Sequence, residues 1–160
     1  MTNKAMNEGE GPTILCVDDD PLVLAALQRV LRAHGCRVLT ADSGPAALER
    51  LRDETIEVLI CDESMPGMRG IEVLRQARTV APPVVRILLT AHCGSQDVVI
   101  PAINQGEIFR LLSKPWNDEE LCRCVSEALG AEPTQWRQTR RRLQERLRGA
   151  CYGTPHADED

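Results

Sequence analysis

"LICDESMPG", residues 59–67, joins an apolar run to Asp62, Glu63 and a Met-Pro-Gly turn. A strand that is apolar on both faces belongs inside a parallel sheet. Such strands deliver whatever stands at their C-terminal ends to the crevice where open α/β sheets bind ligands. Asp62 is therefore a candidate site residue, and residues 65–67 read as a turn without chemistry of their own.

The same kind of unit recurs on either side of it. "TILCVD" (13–18) is an apolar run, and "PLVLAALQRVLRAHG" (21–35) repeats apolar residues at helical spacing between an N-terminal Pro and a terminal Gly. "CRVLTA" (36–41) predicts a strand, and "GPAALERLRDE" (44–54) predicts a helix opened by Ser43. The strand at 56–62 is followed by a helix over 70–80 and a β-branched run over 84–90. A helix over 95–106, a strand over 108–113 and an amphipathic helix over 117–129, opened by Asn117, complete the series. Five βα units of this kind predict an open, doubly wound parallel sheet with helices on both faces.

Composition agrees with that class. At 160 residues, 42% hydrophobic and 27% charged, the chain can bury a core of domain size, and with 2% aromatics that core must be Val, Leu, Ile and Ala. No stretch approaches the roughly eighteen apolar residues of a membrane span, and "MTNKAMNEGEGP" lacks the apolar centre of a signal peptide. A cytoplasmic location without a membrane partner is the expectation. Cys16, Cys36, Cys61, Cys93, Cys122, Cys124 and Cys151 are odd in number, scattered and never spaced as metal ligands, so they read as reduced thiols.

In a doubly wound sheet the C-terminal ends of the first, third, fourth and fifth strands converge. Here they carry Asp18 with Asp19, Asp62, Thr90 and Lys114. Taken singly, each has a plainer reading: Asp62 as a turn residue, Thr90 as a β-former, and Lys114-Pro115 as a loop before the last helix. Asp20, directly before Pro21, reads as the cap of the first helix, which leaves Asp18 and Asp19 for another purpose. The plain readings would have to coincide on four strands, so the set as a whole reads as functional.

With "VDDDP" (17–21), "CDESMPGMRG" (61–70), "LLTAH" (88–92) and "LLSKPW" (111–116) in order on those strands, residues 13–129 resemble a response-regulator receiver domain of the CheY-like superfamily. The resemblance implies a flavodoxin-like sheet of strand order 2-1-3-4-5, and a phosphoryl group passed to Asp62 from a sensor histidine kinase or phosphotransfer protein. It also implies Asp18 and Asp19 as the acidic pair, with Mg²⁺ held by Asp19, Asp62 and the backbone carbonyl of Ser64. Thr90 is the implied switch hydroxyl, and Lys114 the charge partner. Leu111 stands where many receivers carry a switching aromatic, with Phe109 two residues earlier, so this chain departs from the family there. His92 falls at a variable position beside the phosphoryl group, where it either modulates hydrolysis or is a solvent-facing loop residue.

The residue types suit that chemistry. A carboxylate can attack phosphorus to give an aspartyl phosphate, but its donor is already anionic. Two unit charges about 4 Å apart interact by roughly 4 kcal/mol at an effective dielectric of 20, so clustered carboxylates require a cation. Mg²⁺ prefers such oxygens, a lysine supplies a compact point charge, and a threonine supplies a hydroxyl donor.

Residues 1–12 and 150–160 are expected to be disordered. Pro101 should kink or shorten the helix over 95–106. The arginine-rich stretch 134–149, with Trp136, Leu143 and Leu147 at heptad-compatible spacing, reads as a helical extension over 130–149. It would pair with a second copy, lead to an output domain, contact nucleic acid or form a solvated basic helix. The leading reading is a phosphorylatable switching module, not an enzyme, with a possible homodimer and no expected nucleic-acid partner. The alternatives are a DNA-binding regulator, a receiver fragment of a larger regulator, or an Asp-nucleophile phosphatase. The last would need a second acid–base carboxylate and a substrate cap, for which the short loops offer no place.

Overall fold

The computed structural model describes residues 11–91 and 108–130. Residues 1–10, His92, Cys93, the helix expected over 95–106 with its Pro101, and the expected extension and tail beyond Gly130 with Cys151 lie outside them.

The elements are β1 (Thr13–Val17), α1 (Pro21–Ala33), β2 (Arg37–Ala41), α2 (Gly44–Asp53), β3 (Val58–Asp62), α3 (Gly70–Val80), β4 (Val85–Thr90), β5 (Arg110–Ser113) and α4 (Asp118–Leu129). All strand pairs are parallel, in the order β2-β1-β3-β4-β5. The expected sheet order is thus the observed one. The helix starts follow from their caps: Asp20 accepts the N–H of Leu22, Ser43 that of Ala46, and Asn117 those of Glu119 and Glu120. α1 stops at Ala33, short of the expected Gly35, which instead turns the chain at φ 92°. The runs expected at 56–62 and 108–113 start before their strands. Ile56, Ile108 and Phe109 are buried yet stand outside the ladders, because an apolar run records burial, not pairing.

Alternation along the strands divides the interior into two cores. Leu15, Val17, Leu59, Cys61 and Leu88 face α2 and α3, where Leu48, Leu51, Ile71, Val73 and Leu74 meet them. Ile14, Cys16, Val58, Ile60, Ile87 and Leu89 face α1 and α4, packing on Leu27, Leu31, Leu121 and Val125. A fully buried Leu or Ile of this kind contributes about 2 kcal/mol relative to exposure, so the aliphatic layers carry most of the fold, with Phe109 the aromatic buried among them. Among the described residues, no helix is long and apolar enough to cross a membrane. The described cysteines are free. Burial pushes the thiols of Cys16 and Cys61 up and that of Cys124 up to about 12, so they stay protonated and act as small apolar groups.

Candidate functional site

The register lines up the strand ends. Val17 pairs with Cys61, Cys61 with Leu88, and Leu88 with Leu111. One residue further along each strand therefore come Asp18, Asp62, Leu89 and Leu112, and one further again Thr90 opposite Ser113. Backbone bonds tie the row together: Asp18 N–H donates to Ala41 O (3.2 Å), Glu63 N–H to Leu89 O (2.9 Å), and Lys114 N–H to Thr90 O (2.9 Å).

Within this row, carboxylate oxygens of Asp18, Asp19 and Asp62 lie within 4.8 Å of one another. Asp18 and Asp62 are buried, whereas Asp19 is exposed. Lys114 Nζ stands 2.9 Å from Asp18 Oδ2 and 2.9 Å from Asp62 Oδ1. The second oxygen of Asp18 accepts the Asp20 N–H at 2.9 Å, so that carboxylate is held at both ends. Asp20 caps α1 through its Oδ1, which takes the Leu22 N–H, as its place before Pro21 predicts. Burial pushes the Asp62 carboxyl above the ordinary aspartate range, reinforced by the charges of Asp18 and Asp19 and opposed by the hydrogen bond from Lys114. For Lys114, burial pulls the ammonium down, but its bonds to Asp18 and Asp62 prevail and hold it above the ordinary lysine range. The two buried carboxylates share the Lys114 ammonium, and the exposed Asp19 carboxylate stands beside them. That donor set is short of positive charge and rich in oxygen, which suits a hard divalent cation.

Of the other expected residues, Thr90 is buried at the end of β4, and Ser64 is exposed at the start of the β3–α3 loop. Leu111 is half-buried against the α2–α3 core, while Phe109 is buried in the opposite one. His92 lies outside the described residues. Sequence reasoning missed Glu63. Its side chain is buried, its Oε1 accepts the Ile71 N–H at 3.0 Å, and its Oε2 meets the Arg69 guanidinium as an ion pair. It also missed Gly70, where a Cβ would stand 2.2 Å from the Asp62 carbonyl oxygen. A Gly opening a helix was the available signal for the second. The first had none, because its partners are six and eight residues away across a turn.

The sequence matches the response regulator receiver domain family over residues 14–126. It is 35% identical over 123 residues to the hydrogenase transcriptional regulatory protein HoxA of Cupriavidus necator, covering 77% of this chain and 25% of that protein. It is similar to the solved signal receiver domain of an HD domain-containing protein from Pseudomonas fluorescens Pf-5, with TM-score 0.71, 34% identity, and coverage of 75% of this chain and 95% of that one. It is also similar to the response regulator protein TrrA from Thermotoga maritima in complex with Mg²⁺–BeF, with TM-score 0.67, 29% identity, and coverage of 74% and 99%. The chain spans about a quarter of the length of the curated relatives it matches.

Proposed function

This chain belongs to the response regulator receiver family, and from that premise we propose that Asp62 is its phosphoacceptor. The observation that carries the proposal is the single Lys114 ammonium bridging Asp62 and Asp18 beside Asp19. In this reading an Asp62 carboxylate oxygen forms a bond to phosphorus as the bond from phosphorus to the histidine nitrogen of the donor breaks. The electron pair of that bond stays on the departing imidazole. Lys114 stays at the developing phosphoryl oxygens, and the Thr90 hydroxyl donates to one of them. Asp19, Asp62 and the Ser64 carbonyl would hold Mg²⁺, which when bound supplies the positive charge that three carboxylates and an incoming phosphoryl group require.

The donor is a sensor histidine kinase or a phosphotransfer protein, the location is the cytoplasm, and the phospho-state switches protein–protein contacts. The chain carries no catalytic turnover of an external substrate. Leu111 takes the place of an aromatic switch, and His92 modulates the lifetime of the phospho-form. Incubation of the protein with acetyl phosphate and Mg²⁺ should add one phosphoryl mass, and Asp62→Asn should abolish the addition. Labelling that survives in the Asn variant would refute the assignment.

A second reading is favoured by the relatives that are transcriptional regulators, among them a DNA-binding transcriptional regulator NtrC of Escherichia coli, 35% identical over 113 residues. In it the receiver controls DNA binding. Binding of the phosphorylated chain to duplex DNA, falling steeply with salt, would favour this reading. A salt-insensitive change in self-association measured by light scattering would favour the first.

A further inference from the structure

Glu63 is buried as deeply as Asp18, with 1% of its surface exposed, yet the reaction proposed above does not use it. A carboxylate taken out of water costs several kcal/mol unless it is paired and hydrogen-bonded. Here the compensation comes from one place, the start of α3. Arg69, the residue before that helix, makes no side-chain cap, so the first N–H groups of α3 need an acceptor from elsewhere. Glu63 supplies it twice: Oε1 takes the Ile71 N–H at 3.0 Å, and its backbone oxygen takes the Gly70 N–H at 3.1 Å. The helix dipole favours a negative group at this end, and the Arg69 guanidinium neutralises the second carboxylate oxygen.

These contacts close residues 63–71 into a ring. One side of the ring is pinned to the sheet by the bond from Glu63 N–H to Leu89 O. The other side is pinned by Gly70, which lies so close to the Asp62 carbonyl that a Cβ would overlap it. Ser64 is the next residue inside the ring, and Asp62 the residue just before it. Their relative placement therefore follows from what the Glu63 side chain grips.

We propose that Glu63 is a positioning residue: by capping α3 from the end of β3, it fixes the Ser64 peptide relative to the Asp62 carboxylate and so sets the affinity of the site for Mg²⁺. The inference rests on the reading of Asp62 and Ser64 given above. Glu63→Ala removes both the acceptor and the ion pair, while Glu63→Gln keeps an oxygen for the Ile71 N–H. Ser43→Ala serves as the control, since it deletes the cap of α2, which accepts the Ala46 N–H, at a helix start outside the acidic row.

The experiment is titration calorimetry of the full chain with MgCl₂, no phosphodonor present, alongside thermal melts in EDTA. Glu63→Ala should bind Mg²⁺ about tenfold more weakly, as loss of an orienting group behind a metal ligand commonly does. Glu63→Gln should stay within about threefold of the wild type. Ser43→Ala should melt earlier with unchanged Mg²⁺ affinity. Wild-type affinity in a folded Glu63→Ala, or equal losses in the Ala and Gln variants, would overturn the inference while leaving Asp62 in place. A wild-type chain that binds no Mg²⁺ would sink both.

Discussion

Lys114 reaches Asp62 from the far side of β4: its Nζ lies 2.9 Å from Asp62 Oδ1, and the same atom lies 2.9 Å from Asp18 Oδ2. One ammonium thus keeps two buried carboxylates together. Lys114→Met would leave them facing each other without compensation. We expect a loss on the order of 2 kcal/mol in urea unfolding at neutral pH without Mg²⁺, somewhat below the cost of breaking a fully buried pair because the lysine is partly exposed. The sign of the pH effect is fixed as well. A lysine held above its ordinary range contributes stability that is present at neutral pH and fades as pH rises through its raised value. The alkaline limb of the stability curve should therefore be shallower in the variant. An unchanged urea midpoint would contradict this account.

The opposite change is expected at Asp62. Burial and the charges of Asp18 and Asp19 outweigh Lys114 and push its carboxyl up, so ionisation of Asp62 costs the folded state stability in the absence of a cation. Asp62→Asn keeps an oxygen for Lys114 and removes the charge. In EDTA at neutral pH it should be more stable than the wild type by about 1 kcal/mol, a gain that shrinks as pH falls below the raised value. A less stable Asn variant would show that the Lys114 bond, not the carboxylate repulsion, dominates.

Most of the fold was open to reading because its signals are local. Asp20, Ser43 and Asn117 announce helix starts through oxygens that reach only two or three residues ahead. The strands are apolar on both faces because helices cover both sides of the sheet. The acidic row was legible because parallel register carries Asp18, Asp62, Thr90 and Lys114 to one edge once the strand order is known. Glu63 was not legible. A charged residue after an apolar strand is normally solvated, and its burial depends on how closely α3 returns to the strand end. Arg86 escaped for a different reason. It stands inside the apolar run of β4 at 4% exposure, with an Nη1 bond to Val84 O at 3.3 Å, and although that run marks the position as interior, nothing along the chain tells what accommodates a buried guanidinium there.

That close return of α3 makes Gly70 sensitive. A Cβ there would sit 2.2 Å from the Asp62 oxygen and 2.8 Å from its carbonyl carbon, both backbone atoms that cannot rotate aside. Gly70→Ala should cost about 2 kcal/mol or more, although alanine is the better helix former. A circular-dichroism melt that moves up would refute the packing described.

At the opposite end of the sheet, Glu54 joins α2 to β2 through Arg37 at 3.0 Å and Arg50 at 2.9 Å. The hydrogen bonds from these two guanidinium groups hold its carboxyl below the ordinary glutamate range. A carboxylate with a depressed pKa contributes stability that is present above its unfolded value and lost as pH falls through the folded one. Glu54→Gln should flatten that acid limb while leaving Mg²⁺ binding untouched, since the residue is remote from the acidic row. Unchanged acid unfolding would mean the ion pairs are too solvated to matter.

Asp19 and Asp20 are neighbours of the same type with separate tasks. Asp19 contributes an oxygen to the carboxylate cluster, whereas Asp20 spends its oxygen on the Leu22 N–H at the start of α1. Removing a cap costs helix stability of about 1 kcal/mol and takes no charge from the cluster at ligand distance. Removing Asp19 takes away a carboxylate at that distance and relieves repulsion within the cluster. Asp19→Ala should therefore weaken Mg²⁺ binding while leaving the apo protein at least as stable. Asp20→Ala should lower the melting temperature with a smaller change in Mg²⁺ affinity. Calorimetric titration and thermal melts of the two variants side by side test the pair of effects. Equal losses of Mg²⁺ affinity would show that the cap and the site are not separable at this turn.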